Sequence, residues 1–180
     1  MNASEKPKFK EADLAGMICP QIQKSFQNYR VGRGVSLLYK LHFDGVGKLC
    51  PGTYESPTRG QLAFETDILI QDAKVPLVAL ELKFGHFTTH DVLTYSTKAL
   101  KHKELYPYLR YGFVVGGIKK IQNRFFTHNS GFDFAFVFAD PIVGIPRLIE
   151  IIGRQIKIAE KIKTVGESEV SSFETSIEFN

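Results

Sequence analysis

Two neighbouring apolar segments, residues 64–71 and 77–84, constrain the fold of this chain more than any other feature. Each has the length and the Ile, Leu and Val content of a β-strand, and only the five residues 72–76 separate them. The two segments therefore predict a pair of antiparallel strands joined by a short turn.

The rest of the chain extends this hairpin into an α/β pattern. Helices are predicted over residues 11–30, with an interruption or restart near Pro20, from Thr88 to about Leu105, over residues 118–126 and from Asp140 onward. Further strands are predicted over residues 35–43, 110–116 and 132–139. We expect a mixed β-sheet flanked by helices, in the order helix, three strands, helix, strand, followed by a C-terminal helix–strand–helix.

Two apolar stripes occur in the C-terminal third. Alternate positions of the last strand carry Phe132, Phe134, Phe136 and Phe138. The final helix carries Ile145, Ile149, Ile152, Ile156 and Ala159 on one face. The Phe stripe is expected in the core, and the alternatives are a base-stacking platform or a dimer surface.

The charge is unevenly distributed along the 180 residues. We place one domain at residues 1–164 and an acidic tail at residues 165–180, which has four acids and no Lys or Arg. The domain then carries 23 basic against 15 acidic residues. Such a surplus either favours a polyanionic partner through phosphate contacts or serves solubility.

The composition also bears on location. No apolar run approaches the roughly 20 residues that span a bilayer, so no membrane partner is expected. Cys19 and Cys50 are the only thiols and lack metal-type spacing, which predicts a reduced protein, cytoplasmic or nucleoid-associated. No metal is assigned to the histidines, which have no ligand-like spacing: His86, His90, His102 and His128.

Acids in the middle of the two apolar strands are the most informative residues, because burying a charge is costly unless it is compensated. If Gln71 pairs with Leu77, Asp67 lies directly opposite Glu81. Their repulsion would raise the pKa of one of them, and a divalent cation is the simplest group that would reverse it. A slip of one residue would move Asp67 to the other face.

Lys83 follows Glu81 by two residues and therefore points from the same face of the strand. Carboxylate oxygens are the ligands that Mg²⁺ prefers, with Mn²⁺ as its substitute, and the metal lowers the pKa of a water that can attack a phosphate. Lys83 would hold the phosphate, offset its developing charge or orient the water. The sequence leaves these three roles open.

Asp67, thirteen intervening residues and then Glu81-Leu82-Lys83 resemble the signature of the PD-(D/E)XK nuclease superfamily, the restriction-endonuclease-like fold. The resemblance covers residues 11 to 117 and implies Asp67 and Glu81 as metal ligands and Lys83 as the catalytic lysine. It also implies the Leu82 backbone carbonyl as a ligand. Thr66 stands where the family usually has proline.

Several residues are candidate additions to this site. Glu65 is either a third acid or the solvated end of its strand, and Glu11 or Asp13 is either an extra site acid or a helix-start acid that complements the dipole. The resemblance implies that the helix after the motif presents polar residues toward the substrate, and Tyr95 and Lys98 are the candidates here. The alternative for Lys98, Lys101 and Lys103 is a solvated helix face.

Basic and polar residues outside the motif are candidate DNA contacts. Tyr54, Thr58, Arg59 and Gln61 precede the strand of Asp67, and Arg59 and Gln61 are of the kind that reads base edges. A second cluster consists of Lys119, Lys120, Asn123 and Arg124. Either group binds phosphate or base edges, or else simply shapes a turn or solvates the surface.

The resemblance implies a Mg²⁺-dependent endodeoxyribonuclease, closest in type to type II restriction endonucleases, and a homodimer that cuts both strands of DNA. The alternatives are a structure-specific or repair nuclease such as a junction resolvase or nicking enzyme, a non-catalytic nucleic-acid-binding module, and an interaction or structural protein. The binding module usually lacks one motif residue, whereas Asp67, Glu81 and Lys83 are all present here.

Overall fold

The computed structural model describes residues 10–51, 57 and 62–164. Its helices are α1 (Glu11–Ser25), α2 (Thr89–Leu105), α3 (Asn123–His128) and α4 (Pro141–Lys163). Its strands are β1 (Arg30–Leu38), β2 (His42–Phe43), β3 (Leu49–Cys50), β4 (Ala63–Asp72), β5 (Val75–Phe84), β6 (Arg110–Gly116) and β7 (Phe134–Phe138). The predicted order of elements is present, and β2 and β3 are added to it.

The long strands form one mixed sheet in the order β1–β4–β5–β6–β7, while β2 and β3 pair separately. β4 is antiparallel to both β1 and β5, whereas β5, β6 and β7 run parallel. The α/β class with a mixed sheet is therefore confirmed. Among the residues described, no helix has the length and hydropathy needed to cross a membrane.

Helices cover both faces of the sheet. The face packed against α1 and α4 takes even-numbered residues of β4 and of β5 from Val78 onward, together with Leu77 at the bulge, and includes Ile18, Ile22, Ile68, Leu80, Leu148 and Ile152. The face packed against α2 and α3 is built from odd-numbered residues of the same strands and includes Leu69, Ala79, Val92, Ala99, Phe113 and Phe125. Asp67, Glu81 and Lys83 are odd-numbered, so they belong to the α2 face.

The β4–β5 hairpin has a shorter turn than predicted, yet the register around the acids is the expected one. Asp72 pairs with Val75, so only two residues form the turn, and Gln71 pairs with Pro76 rather than with Leu77. A bulge between Ile70 and Gln71 then shifts the ladder by one residue. The shorter turn and the bulge compensate each other, because a bulge places two residues opposite one.

Two boundaries near the N-terminus differ from prediction. The first strand covers Arg30–Leu38 instead of residues 35–43, because its early residues complete the ladder with β4. α1 continues through Pro20 without a restart and ends at Ser25. Ile18 and Ile22 are fully buried on either side of the proline, and this packing offsets the hydrogen bond that proline cannot donate.

Two further predictions fail after β6. α3 begins at Asn123 instead of residue 118, because Ile118 and Ile121 pack against the core from a segment that is not helical. The Phe stripe is not continuous: Phe132 precedes β7 and packs on Phe113 of the α2 face, with ring centroids 5.2 Å apart. The other three Phe of the stripe join the core under α4, where most of the predicted α4 stripe is buried.

Candidate functional site

Asp67 and Glu81 come together on the α2 face of the sheet. The β4–β5 ladder pairs Ile68 with Leu80, and the next position along the same register sets Asp67 opposite Glu81. At this position a side chain joins the two strands: Asp67 Oδ2 accepts a 2.7 Å hydrogen bond from the Leu82 N–H. This bond ties the carboxylate of one strand to the main chain of the other.

Glu81 is only 1% exposed and is held by two groups on the same oxygen. The Lys98 Nζ lies 2.7 Å from Glu81 Oε1, and the Tyr111 hydroxyl donates to that oxygen at 2.8 Å. Behind them, His102 Nδ1 is 3.2 Å from the Tyr111 hydroxyl. His102 Nε2 carries a proton, because it lies 3.0 Å from the Leu37 carbonyl, which can only accept.

The environment shifts the pKa of both carboxyl groups upward. Burial, together with the charge of Asp67, raises the pKa of Glu81 to about 7 against the attraction of Lys98. Burial likewise raises the pKa of Asp67, although the Leu82 N–H opposes the change. The predicted rise is present, but desolvation contributes more to it than repulsion within the pair.

Lys83 is held at the same end of the sheet by acids from two helices. Its Nζ lies 3.0 Å from Glu11 Oε1 at the start of α1 and 3.3 Å from Asp91 Oδ1 in the first turn of α2. The Tyr95 ring centroid is 5.3 Å from the same nitrogen. Burial lowers the pKa of Lys83, but its interactions with Glu11 and Tyr95 outweigh burial and raise the pKa overall.

The N-terminus of α2 orients one of these acids. The Asp91 carboxylate accepts hydrogen bonds from the Thr88 backbone N–H at 2.7 Å and from the Thr88 hydroxyl at 2.8 Å. The Thr88 Oγ1 in turn accepts from the Asp91 N–H at 3.2 Å, so the predicted threonine cap is confirmed as a reciprocal capping box. The cap fixes the carboxylate that faces Lys83.

Tyr95 and Lys98 both lie at the site, and the solvated-face interpretation is wrong for two of the three α2 lysines. Lys98 is bound to Glu81, and Lys103 lies 2.7 Å from Asp133 Oδ2. Lys101 alone fits that interpretation, since it is 46% exposed and pairs with Glu104 along the helix. Lys98 and Lys103 differ because they are on the helix side that faces the sheet.

The remaining candidates are distributed as follows. Glu65 is exposed and contributes its backbone carbonyl to Lys98, while Asp13 accepts from the Lys10 N–H at 2.8 Å and so serves the start of α1.

Lys119 and Lys120 are exposed beyond β6. The neighbouring strand end is close, because the Gly85 N–H donates to the Gly116 carbonyl at 2.7 Å. Outside the described residues lie Tyr54, Thr58, Arg59 and Gln61.

Sequence reasoning missed Tyr111, which donates to Glu81, and His102, which lies against the Tyr111 hydroxyl. A signal for His102 was present, since it continues the buried α2 positions Val92, Ser96 and Ala99 at helical spacing. Tyr111 gave a weaker signal as the one hydroxyl inside an apolar strand. The contact of Asp91 with Lys83 had no signal beyond its place in the first turn of the helix.

The carboxylate pair is the part of the site suited to a cation. No described residue contacts Asp67 Oδ1 or Glu81 Oε2 by a hydrogen bond or ion pair. One or two carboxylates are what commonly hold Mg²⁺, so the donor chemistry fits that ion. The described residues contain no cluster of three or more His, Cys, Asp or Glu suited to a metal, and Cys19 and Cys50 are free thiols.

Comparison of the chain with protein-family models, with curated proteins and with solved structures found no match.

Proposed function

We propose that this chain is a Mg²⁺-dependent endodeoxyribonuclease of the PD-(D/E)XK type, with Asp67, Glu81 and Lys83 at its active site. The observation that carries the proposal is the desolvated carboxylate pair with two ammonium groups beside it. A buried and a half-buried acid whose pKa values are both raised destabilise a fold, so their presence favours a functional role.

The order of elements supports the same conclusion. Apart from the short β2 and β3 between β1 and β4, the elements α1, β1, β4, β5, α2 and β6 follow one another as helix, three strands, helix and strand, which is the core that the family resemblance implies. The acids lie on the two strands of the central hairpin, and the following helix returns Tyr95 and Lys98 to them. A restriction-endonuclease-like core is therefore part of the proposal.

In this mechanism Mg²⁺, when bound, supplies an activated water and screens the charge of the phosphate. Asp67 and Glu81 hold the ion, and the Leu82 carbonyl is proposed as a further ligand. The Leu82 N–H fixes Asp67, while the Tyr111 hydroxyl fixes Glu81. Carboxylates fixed in this way lose little conformational freedom when the ion binds.

Lys83 acts as a cation in this mechanism and not as a general base. Its raised pKa keeps the amine protonated at neutral pH. Glu11 and Asp91 hold the ammonium in place, and its charge offsets the charge that develops on the phosphate oxygens. Of the roles open from sequence, holding the phosphate and offsetting its charge fit this protonation state best.

The proposed substrate is DNA. The surplus of basic residues over residues 1–164 favours a polyanion, and Lys119 and Lys120 are exposed on the segment that leaves β6 beside the end of β5. A homodimer would place one such site on each strand of a duplex. The rival within the same class is a structure-specific or repair nuclease, which would use the same residues on branched DNA.

Digestion of two substrates tests the proposal. Purified protein with Mg²⁺ is incubated with plasmid DNA and with a four-way junction, and the product ends are read by sequencing. We expect cleavage at defined plasmid positions that leaves 5′-phosphate and 3′-hydroxyl ends. Preferential cutting of the junction favours the repair nuclease, and binding of DNA without any cut favours a non-catalytic module.

A further inference from the structure

The Lys98 ammonium lies on the acid pair instead of extending into solvent. Its Nζ is 2.7 Å from Glu81 Oε1, it donates to the Glu65 carbonyl, and its side chain is only 13% exposed. The Tyr95 ring, one helical turn earlier, has its centroid 5.8 Å from the same nitrogen. The sheet and α2 therefore hold the ammonium from several sides.

Lys98 is also the cation on which the pair depends. Lys83 makes its ion pairs with Glu11 and Asp91, at 3.0 and 3.3 Å. Among the described residues, Lys98 alone forms an ion pair with Glu81 or Asp67. A buried carboxylate without a partner is strongly destabilising, so the ammonium stabilises the fold whenever no metal is bound.

We propose that Lys98 is the resident counter-ion of Glu81 and competes with the divalent cation for that carboxylate. Lys98 is then a positioning residue, because it sets how tightly the site binds its metal and acts only through Glu81. The inference rests on the proposed function, since it takes the carboxylate pair to be the metal site. A divalent cation that binds this pair is repelled by the Lys98 ammonium, which already contacts Glu81, one of the two proposed ligands.

Calorimetry with Mn²⁺ in the absence of DNA tests the competition. Lys98→Met removes the charge and keeps much of the side-chain length, and Lys101→Met is the matched control, because it makes the same change on an exposed position of α2. We expect Lys98→Met to bind Mn²⁺ about tenfold more tightly than the wild type, a coupling typical of close charge pairs. Lys101→Met should stay within about twofold of the wild type, as expected for an exposed ion pair.

A second substitution covers the case in which Lys98→Met does not fold. Lys98→Gln keeps a group that can donate to Glu81 and to the Glu65 carbonyl, and we expect the same direction of change. Circular dichroism establishes that each variant is folded before titration. Mn²⁺ affinity that is unchanged or weaker in the folded Lys98 variant overturns the inference.

The Glu81→Gln substitution separates this inference from the proposed function. If wild-type binding of Mn²⁺ depends on Glu81 but not on the charge of Lys98, only the inference about Lys98 fails. If Glu81→Gln leaves Mn²⁺ binding unchanged in both the wild type and the Lys98→Met background, the metal lies elsewhere and the proposed active site fails. Loss of the gained affinity in the double variant supports both.

Discussion

The Tyr111 hydroxyl donates a 2.8 Å hydrogen bond to Glu81 Oε1, and both side chains are almost completely buried. The bond joins neighbouring strands, because β5 and β6 are parallel and Glu81 pairs with Phe113, two residues beyond Tyr111. Lys98 reaches the same oxygen from α2, with its Nζ 2.7 Å away. The position of the Glu81 carboxylate is therefore set by three elements of the fold at once.

Replacing Tyr111 by Phe should loosen this carboxylate without unfolding the protein. The ring remains to fill the core, and a single lost hydrogen bond costs about 1 kcal/mol. Removal of a group that orients a ligand typically weakens metal affinity or activity by about tenfold or more. Mn²⁺ titration and DNA cleavage by Tyr111→Phe measure this. Tyr106→Phe, at the end of α2, is the control, and equal losses in both variants would contradict the assignment.

The stability of the protein should respond to pH through two buried groups of opposite sign. The pKa of Glu81 is raised from 4.5 to about 7, so its contribution destabilises the folded state as pH rises through that interval. The pKa of His102 is lowered from 6.5 to about 4 by burial, so its contribution is lost as pH falls through that interval. Each pKa difference corresponds to about 3 kcal/mol of folding free energy. Between pH 4.5 and 6.5, where the two intervals overlap, the two contributions to stability change in opposite directions with pH.

Single substitutions should separate the contributions of Glu81 and His102 to stability, which partly cancel in the wild type. From pH 8 down to pH 4, the stability of Glu81→Gln relative to wild type should fall, and that of His102→Gln relative to wild type should rise. Denaturant unfolding at several pH values gives both differences. Two curves that run parallel to the wild type would show that neither group titrates abnormally.

The sequence predicted the acid pair because apolar strands with embedded acids have few stable arrangements. The alternation of the strands and the short connection between them predicted the register. The register around the acids is the predicted one although the turn is shorter, because the bulge after Ile70 offsets the pairing of Asp72 with Val75, two residues that were expected in the loop. A bulge depends on the fit of Pro76 and Leu77 to the neighbouring strand. Local sequence does not contain that fit.

The supports of the site were not predictable in the same way. Lys98 and Lys101 are alike in sequence, and only the packing of α2 against the sheet puts one on Glu81 and leaves the other in solvent. Tyr111 meets Glu81 because β6 returns parallel to β5 in one register. Contacts of this kind depend on how elements assemble, so periodicity gave the elements but not the contacts.

Lys83→Met should abolish DNA cleavage while DNA binding remains. The ammonium is the cation proposed to offset charge on the reacting phosphate, and removal of one such group typically costs about 100-fold or more in rate. The variant leaves Glu11 and Asp91 without their partner, but both are at the surface of the site, so we expect it to fold. Single-turnover cleavage measures the loss, and a rate within about twofold of wild type would remove Lys83 from the mechanism.

DNA affinity should fall steeply with salt, because several phosphates are neutralised by the basic domain. Lys119→Met should reduce the slope of log affinity against log salt by about one if this residue contacts a phosphate. Lys157→Met is the matched control, since it removes an exposed charge from α4 on the opposite face of the sheet. Equal slopes for both variants and the wild type would exclude Lys119 from the DNA contact.

Plasmid cleavage by the wild type and by Asp67→Asn tests the central claim most directly. The substitution keeps the size of the side chain and an oxygen that can accept from the Leu82 N–H, but it removes the charge that would hold the cation. We predict that the wild type converts supercoiled plasmid to nicked or linear DNA with Mg²⁺ and not with a chelator, and that folded Asp67→Asn does not. Cleavage by Asp67→Asn at the wild-type rate, or no cleavage of any DNA by the wild type, would contradict the account.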